Sequence, residues 1–131
     1  MKTKNAVYGM LLLSWGALAN AQAMPAERVY LDKGEVTQVL VGKVSTHIRA
    51  SDSQKVKWDI RPGGTLYGSN LTGGSKDTAR WEIKDDGAIC LKWRGNSTDG
   101  CFYHFKSGDK LMRTERREPS APVSSEILEI E

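Results

Sequence analysis

The sequence predicts a mainly β, α+β domain in which one short N-terminal helix precedes six or seven antiparallel strands. Three observations lead to this prediction. Apolar residues alternate with polar ones in several short segments, turn residues separate these segments about every 8 to 12 residues, and a helix-start pattern precedes the first segment. We expect a meander that forms a small barrel or a strongly curved sheet with one disulfide. A flat two-layer α+β sheet is the alternative.

The N-terminus has the pattern of a cleaved signal peptide. Lys2 and Lys4 precede an apolar run of about 13 residues at 6–18, and residues 19–23 offer small-x-small cleavage sites. We expect cleavage after Ala23. The apolar run is shorter than the roughly 18 to 20 residues that span a bilayer, so a membrane anchor is disfavoured. The sequence therefore predicts a soluble bacterial protein, periplasmic or secreted, with no membrane span.

The composition predicts one small globular domain. Of 131 residues, 39% are hydrophobic and 27% charged, which is too apolar for a disordered chain. We place the domain at residues 24–118, with 119–131 as a C-terminal tail or a weak last strand.

The charge of the chain after cleavage is nearly balanced. Removal of the predicted signal peptide, which contains Lys2 and Lys4, lowers the formal net charge from +3 to about +1. The remaining charges are interspersed, and the arginine-containing run 113–117 is interpreted as a solvated strand end or linker, so no nucleic-acid partner is expected.

The helix is predicted where a capping pattern meets an apolar stripe. Asp32 is followed three positions later by Glu35, as in a capping box. Apolar residues then recur at helical spacing from Val36 to Leu40, and Gly42 ends the pattern. Such a short helix must pack against other elements to be stable.

Beyond the helix the apolar period changes to two, which is typical of strands. Residues 43–50 form the first predicted strand, with Val44, Thr46 and Ile48 on one face. In the next, residues 55–60, the side chains of Val56, Trp58 and Ile60 share a face. Turn residues delimit the later segments. Besides the hairpin described next, the predicted strands are residues 65–68, 110–114 and, weakly, 126–130.

The hairpin that follows residues 78–84 has two possible turns. A two-residue turn at Asp86 and Gly87 would pair Ile83 with Cys90. A three-residue loop at 85–87, with Gly87 in the left-handed conformation, pairs Ile83 with Ile89 instead. We prefer the second register because it puts the apolar side chains on one face. That face would contain Trp81, Ile83, Ile89, Leu91, Trp93, Phe102 and His104.

The two cysteines beyond the signal peptide predict one disulfide. Residues Gly95 and Asn96 form a hairpin turn signal midway between Cys90 and Cys101, and a two-residue turn there places the cysteines directly opposite each other. Their bridge would lie on the outer face beside Tyr103 and contribute roughly 2 to 3 kcal/mol. The spacing matches no common zinc site, so no metal is expected.

The pattern Trp81-x5-Gly87-x2-Cys90-x2-Trp93-x7-Cys101 resembles a family of small exported bacterial β-rich proteins of unknown function. The resemblance covers about residues 35 to 115. It implies a β-rich periplasmic domain and brings no catalytic residue with it.

The chain contains no pattern typical of a catalytic or cofactor site. His47 and His104 are isolated histidines in predicted strands. The sequence has neither a nucleophile elbow nor a phosphate-binding or dinucleotide-binding loop. We therefore expect no enzyme activity and no cofactor, and we interpret both histidines as structural side chains.

Binding is the predicted activity. Trp93 and Arg94 lie beside the predicted hairpin tip, and tryptophan and arginine are enriched at binding hot spots. Trp58 and Tyr103 complete the candidate set, although three tryptophans are also what a small barrel needs to fill its core, and this is the interpretation we favour for them. The sequence predicts a monomeric, non-enzymatic module whose hairpin loops bind an envelope or secreted protein. The alternative is a carrier of a small apolar ligand inside the barrel.

Overall fold

The computed structural model describes residues 28–131, so the predicted signal peptide lies outside the described residues. These residues form one helix and eight antiparallel strands, and the strands follow one another in chain order around a closed barrel. The helix is α1 (Lys33–Leu40). The strands are β1 (Lys43–Arg49), β2 (Lys55–Arg61), β3 (Thr65–Asn70), β4 (Lys76–Ile83), β5 (Ile89–Trp93), β6 (Gly100–Ser107), β7 (Lys110–Thr114) and β8 (Val123–Ile130).

The mainly β prediction is confirmed, and the sheet is a closed barrel of eight strands where six or seven were expected. The difference comes from the C-terminal segment, since the other seven strands lie at or near their predicted positions. β3, expected at residues 65–68, pairs along its whole length with β2 and at residues 65–69 with β4. β8, which the sequence left as a tail or a weak strand, pairs with β7 on one side and β1 on the other. β8 therefore closes the barrel and leaves no free sheet edge among the described strands.

Helix α1 covers one end of the barrel. Its start is capped as predicted, because Asp32 and Glu35 exchange backbone-to-carboxylate hydrogen bonds of 2.8 and 3.0 Å. Val36 and Leu40 are buried on its inner face. They belong to a hydrophobic core that includes the barrel-facing residues Ile60, Leu66, Ile83 and Ile89. These four residues lie at the helix-covered end, so that end is filled by side chains.

The predicted register of β4 and β5 is confirmed. Trp81 pairs with Leu91 and Ile83 with Ile89, and Gly87 has a φ of 91°, as the three-residue loop requires. Cysteines 90 and 101 are directly opposed and form the predicted disulfide.

The predicted two-residue turn at Gly95 and Asn96 is wrong. Pairing between β5 and β6 stops at Leu91 and Gly100, and a six-residue loop, residues 94–99, follows β5. The positive φ that a two-residue hairpin turn requires is found at neither Gly95 nor Asn96. Side-chain carboxylates hold this loop in its wider shape, as described below.

Candidate functional site

The barrel opens into a cavity of about 1050 Å³ at the end opposite α1. Loops that connect β1 to β2, β3 to β4, β5 to β6 and β7 to β8 surround its mouth. An eight-stranded barrel is just wide enough either to be filled by its own side chains or to hold one small ligand. This barrel is filled beneath the helix and open at the other end.

Aromatic side chains form much of the cavity wall. Trp58, Trp93 and Phe102 all line it, and the rings of Trp58 and Phe102 meet edge to face with centroids 5.7 Å apart. Trp93 packs against Gly68, where a Cβ atom would come within 2.7 Å of its ring. The lack of a side chain at Gly68 therefore allows the Trp93 ring to approach the β3 backbone closely.

Arg113 lies at the inner end of the cavity and is only 1% exposed. Its Nε donates a hydrogen bond to Nε2 of His104 at 3.0 Å. Its guanidinium carbon lies 3.8 Å from the centroid of the Trp58 ring, within cation–π range. The two terminal nitrogens, Nη1 and Nη2, have no hydrogen-bond partner among residues 28–131. The inner end of the cavity is therefore bounded by a buried guanidinium whose two terminal nitrogens donate no hydrogen bond to the described residues.

The interpretation of Arg113 as part of a solvated strand end is wrong. In β7 the buried positions continue the alternation from Leu111 to Arg113, so the guanidinium points into the barrel. In the sheet, Arg113 lies opposite His104 of β6 on one side and opposite Ser125 of β8 on the other. All three side chains are buried. The ring of Trp58 and the imidazole of His104 make this burial possible for the charged group.

Burial sets the charge of this group of side chains. It lowers the pKa of Arg113 to about 9, so the guanidinium still carries its charge at pH 7. Burial, followed by the nearby charge of Arg113, lowers the pKa of His47 to about 2. The same two causes, in the same order, lower the pKa of His104 well below its ordinary value. Among the described residues, the inner end of the cavity therefore has the charged Arg113 and the neutral His47 in its lining, with the neutral His104 behind Arg113, near neutral pH.

Other polar side chains face the same interior region. Ser45 and His47 are buried on β1, and neither the Ser45 hydroxyl nor Nδ1 of His47 has a hydrogen-bond partner among the described residues. The sequence correctly groups Val44, Thr46 and Ile48 on one face of β1, but these three are only partly buried. The polar face of β1 is the one that points inward.

The loop at residues 94–99 forms part of the cavity mouth. Asp77 accepts hydrogen bonds from the backbone N–H groups of Gly95 and Ser97 at 2.9 and 3.3 Å, and Asp99 accepts one from Trp93 N–H at 2.7 Å. Desolvation would raise the pKa of Asp77, but the hydrogen bonds from Ser97, Thr78 and Gly95 outweigh it and leave that pKa lowered. Charged Asp77 thus fixes one side of the mouth.

Two of the four candidate binding residues lie at the cavity. Trp58 is buried in its wall and Trp93 is half-buried nearer its mouth. Arg94 is exposed and lies outside the cavity, beside a small surface depression. Tyr103 is on the outer face, where its hydroxyl donates to Asp86 at 2.9 Å. Sequence reasoning missed Arg113, for which the available signal was its spacing of two from Leu111 in a predicted strand.

His47 is poorly suited to act as a general base near neutral pH. A general base works best when its pKa lies near the working pH, whereas the pKa of His47 is about 2. Among residues 28–131, no three histidine, cysteine or acidic side chains are grouped closely enough to hold a metal ion. What the geometry offers is an aromatic wall that leads to one buried cation.

No helix in the described part of the chain, residues 28–131, combines the length and apolar character needed to cross a membrane. The resemblance to small exported proteins stays a prediction that rests on the motif alone. No protein-family model, curated protein or solved structure matches this chain.

Proposed function

We propose that the protein binds a small organic molecule inside the barrel cavity, the activity that the sequence offered as the alternative to a protein-interaction module. The observation that carries this proposal is the open cavity of about 1050 Å³. Its volume lies just above the roughly 300 to 1000 Å³ typical of small-molecule sites, which are lined by aromatic side chains and a few polar groups. Trp58, Trp93, Phe102 and Arg113 supply both kinds of group.

The inner end of the cavity is polar, whereas the sequence pattern suggests a carrier with an apolar cavity. Arg113 and His47 both line it, and a buried polar group without a partner costs free energy. A ligand that supplied the missing hydrogen bonds would recover part of that cost. The proposed ligand therefore has an apolar body and at least one polar group.

Binding of an envelope or secreted protein through the hairpin loops remains the second proposal. Arg94 and the rest of the loop 94–99 are exposed, as a docking surface requires. Trp93, however, is half-buried and packs on Gly68 in the cavity wall. A hot-spot aromatic normally inserts into the partner, so this geometry favours the cavity over the loops as the binding site.

A screen against a chemically mixed pool of small acids, amines, alcohols and amides tests the cavity proposal. We expect native mass spectrometry to detect at least one compound bound at a ratio of one to one. The same compound should alter the tryptophan fluorescence, because Trp58 and Trp93 line the cavity. It should also raise the melting temperature, as any ligand specific for the folded state does.

Variants locate the bound compound. Ser125 is buried in the cavity lining, so Ser125→Leu should fill part of the space and weaken binding about tenfold or more, since a tenfold loss needs only about 1.4 kcal/mol. Tyr67→Ala is the matched control because Tyr67 is 47% exposed on the outside of β3. The proposal is wrong if no compound in the pool binds, or if Ser125→Leu and Tyr67→Ala affect binding equally. Circular dichroism establishes that both variants are folded.

A further inference from the structure

We infer that the ligand is a monocarboxylate whose carboxylate group is bound by Arg113. This inference rests on the proposed function and names the chemical class of the ligand for the same cavity. It follows from three features of the inner end of the cavity: the unused edge of the guanidinium, the lack of a counter-ion, and the aromatic wall that leads to it.

The free edge of the guanidinium matches a carboxylate. Nε of Arg113 already donates to His104, whereas Nη1 and Nη2 have no partner among residues 28–131. These two nitrogens can donate two parallel hydrogen bonds to the two oxygens of one carboxylate, an arrangement that is both geometrically specific and strong. A hydroxyl or an amide carbonyl offers only one acceptor atom and cannot reproduce this pairing.

Arg113 also lacks a countercharge. None of the salt bridges found among residues 28–131 includes it, although it is 1% exposed. Removing an ion from water costs several kcal/mol unless an opposite charge and hydrogen bonds compensate. Stacking on Trp58 and the bond to His104 compensate only in part, since the imidazole is neutral. A bound carboxylate would supply the missing charge.

The charge around the cavity favours a single negative charge on the ligand. Because burial keeps both His47 and His104 neutral, Arg113 is the only buried cation described in the cavity. At the mouth, Asp77, Asp99 and Glu115 line the opening together with Lys76 and Arg49. These acidic groups oppose the entry of a multiply charged anion such as a phosphate ester.

The aromatic wall indicates the rest of the ligand. Trp58, Trp93, Phe102 and Val56 line the cavity between the mouth and Arg113. An aromatic or aliphatic body would bury its apolar surface against these side chains, at about 25 cal/mol for each Å² removed from water. The ligand class is therefore an arylalkanoic or medium-chain alkanoic acid.

Access to Arg113 requires a small side-chain movement. Less than 1 Å² of each terminal nitrogen is exposed, so the carboxylate must displace part of the lining. Phe102 is half-buried, and its ring centroid is 5.9 Å from the guanidinium carbon. Rotation of Phe102 toward the open cavity is the movement that we propose.

The test compares each acid with its uncharged amide. The probes are 4-phenylbutanoate with 4-phenylbutanamide and octanoate with octanamide, titrated by calorimetry at pH 7. We expect the acids to bind about 10- to 150-fold more tightly than the amides, the range that corresponds to the 1.5 to 3 kcal/mol of hydrogen bonds to a charged group. Arg113→Met should remove this preference, and Arg113→Lys should retain only part of it because an ammonium group lacks the planar fork.

Arg80→Met is the matched control, because Arg80 is exposed on β4 and does not line the cavity; it should bind the acids as the unmodified protein does. Arg113→Met leaves Nε2 of His104 without its hydrogen-bond donor, but it also removes a buried charge that has no counter-ion among the described residues and whose desolvation is costly, so we expect this variant to fold. If it does not, the comparison of acid with amide in the unmodified protein decides the question. Equal binding of acid and amide contradicts the carboxylate inference.

The two proposals can fail separately. If the amides bind as well as the acids, or if another member of the mixed pool binds while neither acid does, the cavity is a ligand site and Arg113 is only a structural residue. If nothing in either set binds, both proposals are wrong.

Discussion

At the scale of single residues, the buried histidines make stability depend on pH. The pKa of His47 is about 2 in the folded protein, against 6.5 for an ordinary histidine, and the pKa of His104 is also lowered. Below pH 6.5 the unfolded chain therefore binds protons that the folded chain excludes. Stability is fully present above that pH and falls as the pH is lowered, by up to about 1.4 kcal/mol per pH unit for each histidine.

We expect the free energy of unfolding, measured with urea, to decrease steeply from pH 7 to pH 5. His47→Asn should make the dependence shallower, because one of the two groups that take up a proton on unfolding is absent. A dependence that is the same in both proteins would contradict the assignment of His47 as a neutral buried group.

Gly87 is a residue whose lack of a side chain can be tested directly. Its φ of 91° disfavours any side chain, and a Cβ atom would collide with the carbonyl oxygen of Leu31. Gly63 has a similar φ of 101° but no atom within 4 Å of its would-be Cβ. Substitutions at these two positions therefore distinguish the cost of backbone strain alone from the cost of strain combined with a steric collision.

Gly63→Ala should cost about 1 kcal/mol of stability, which is the penalty of the left-handed conformation alone. Gly87→Ala should cost about 2 kcal/mol or more, because the segment before α1 must also move away. Denaturant unfolding of the two variants measures both values. Equal losses would mean that the contact with Leu31 is unimportant.

At the scale of secondary-structure elements, the disulfide supports the shortest strand pairing in the barrel. β5 and β6 are paired at only three positions, with Cys90 and Cys101 in the middle. The double variant Cys90→Ser/Cys101→Ser should lose about 2 to 3 kcal/mol, the loop-closure value for a bridge of this span. Reduction of the unmodified protein should lower its melting temperature as far as the double variant does. A melting temperature that does not change under reduction contradicts this role.

The elements also show how far the sequence determines the fold. Where one face of a strand is clearly apolar, as in β2, β4 and β5, alternation predicts the shared face or the register correctly, because only one register buries that face. In β1 both faces are mixed, and the interior receives Ser45 and His47. Hydrophobic alternation separates the faces of such a strand but does not identify the one that lines a polar cavity.

The shape of the loop at residues 94–99 could not be predicted from the local sequence pattern, for a related reason. Gly95 and Asn96 form a strong local turn signal, but Asp77, from β4, and Asp99 bind the backbone of that segment. These contacts are tertiary and outweigh the local preference. At the candidate site, tertiary contacts also outweigh the local preference of Arg113 for solvent. Trp58 on β2 and His104 on β6 permit its burial.

At the scale of the whole molecule, the barrel is filled by side chains at one end and open at the other. Beneath α1, side chains such as Ile60, Leu66 and Ile89 are completely buried and fill the space. Toward the mouth, the inward residues include Gly68 and Ser125, which are too small to fill an eight-stranded barrel. An unfilled interior costs stability in proportion to its volume, so the closed end, the disulfide and the closure by β8 must stabilise a barrel that keeps its other half open. A chain that retains both an open cavity and an uncompensated cation at its inner end has the arrangement that a bound monocarboxylate would complete.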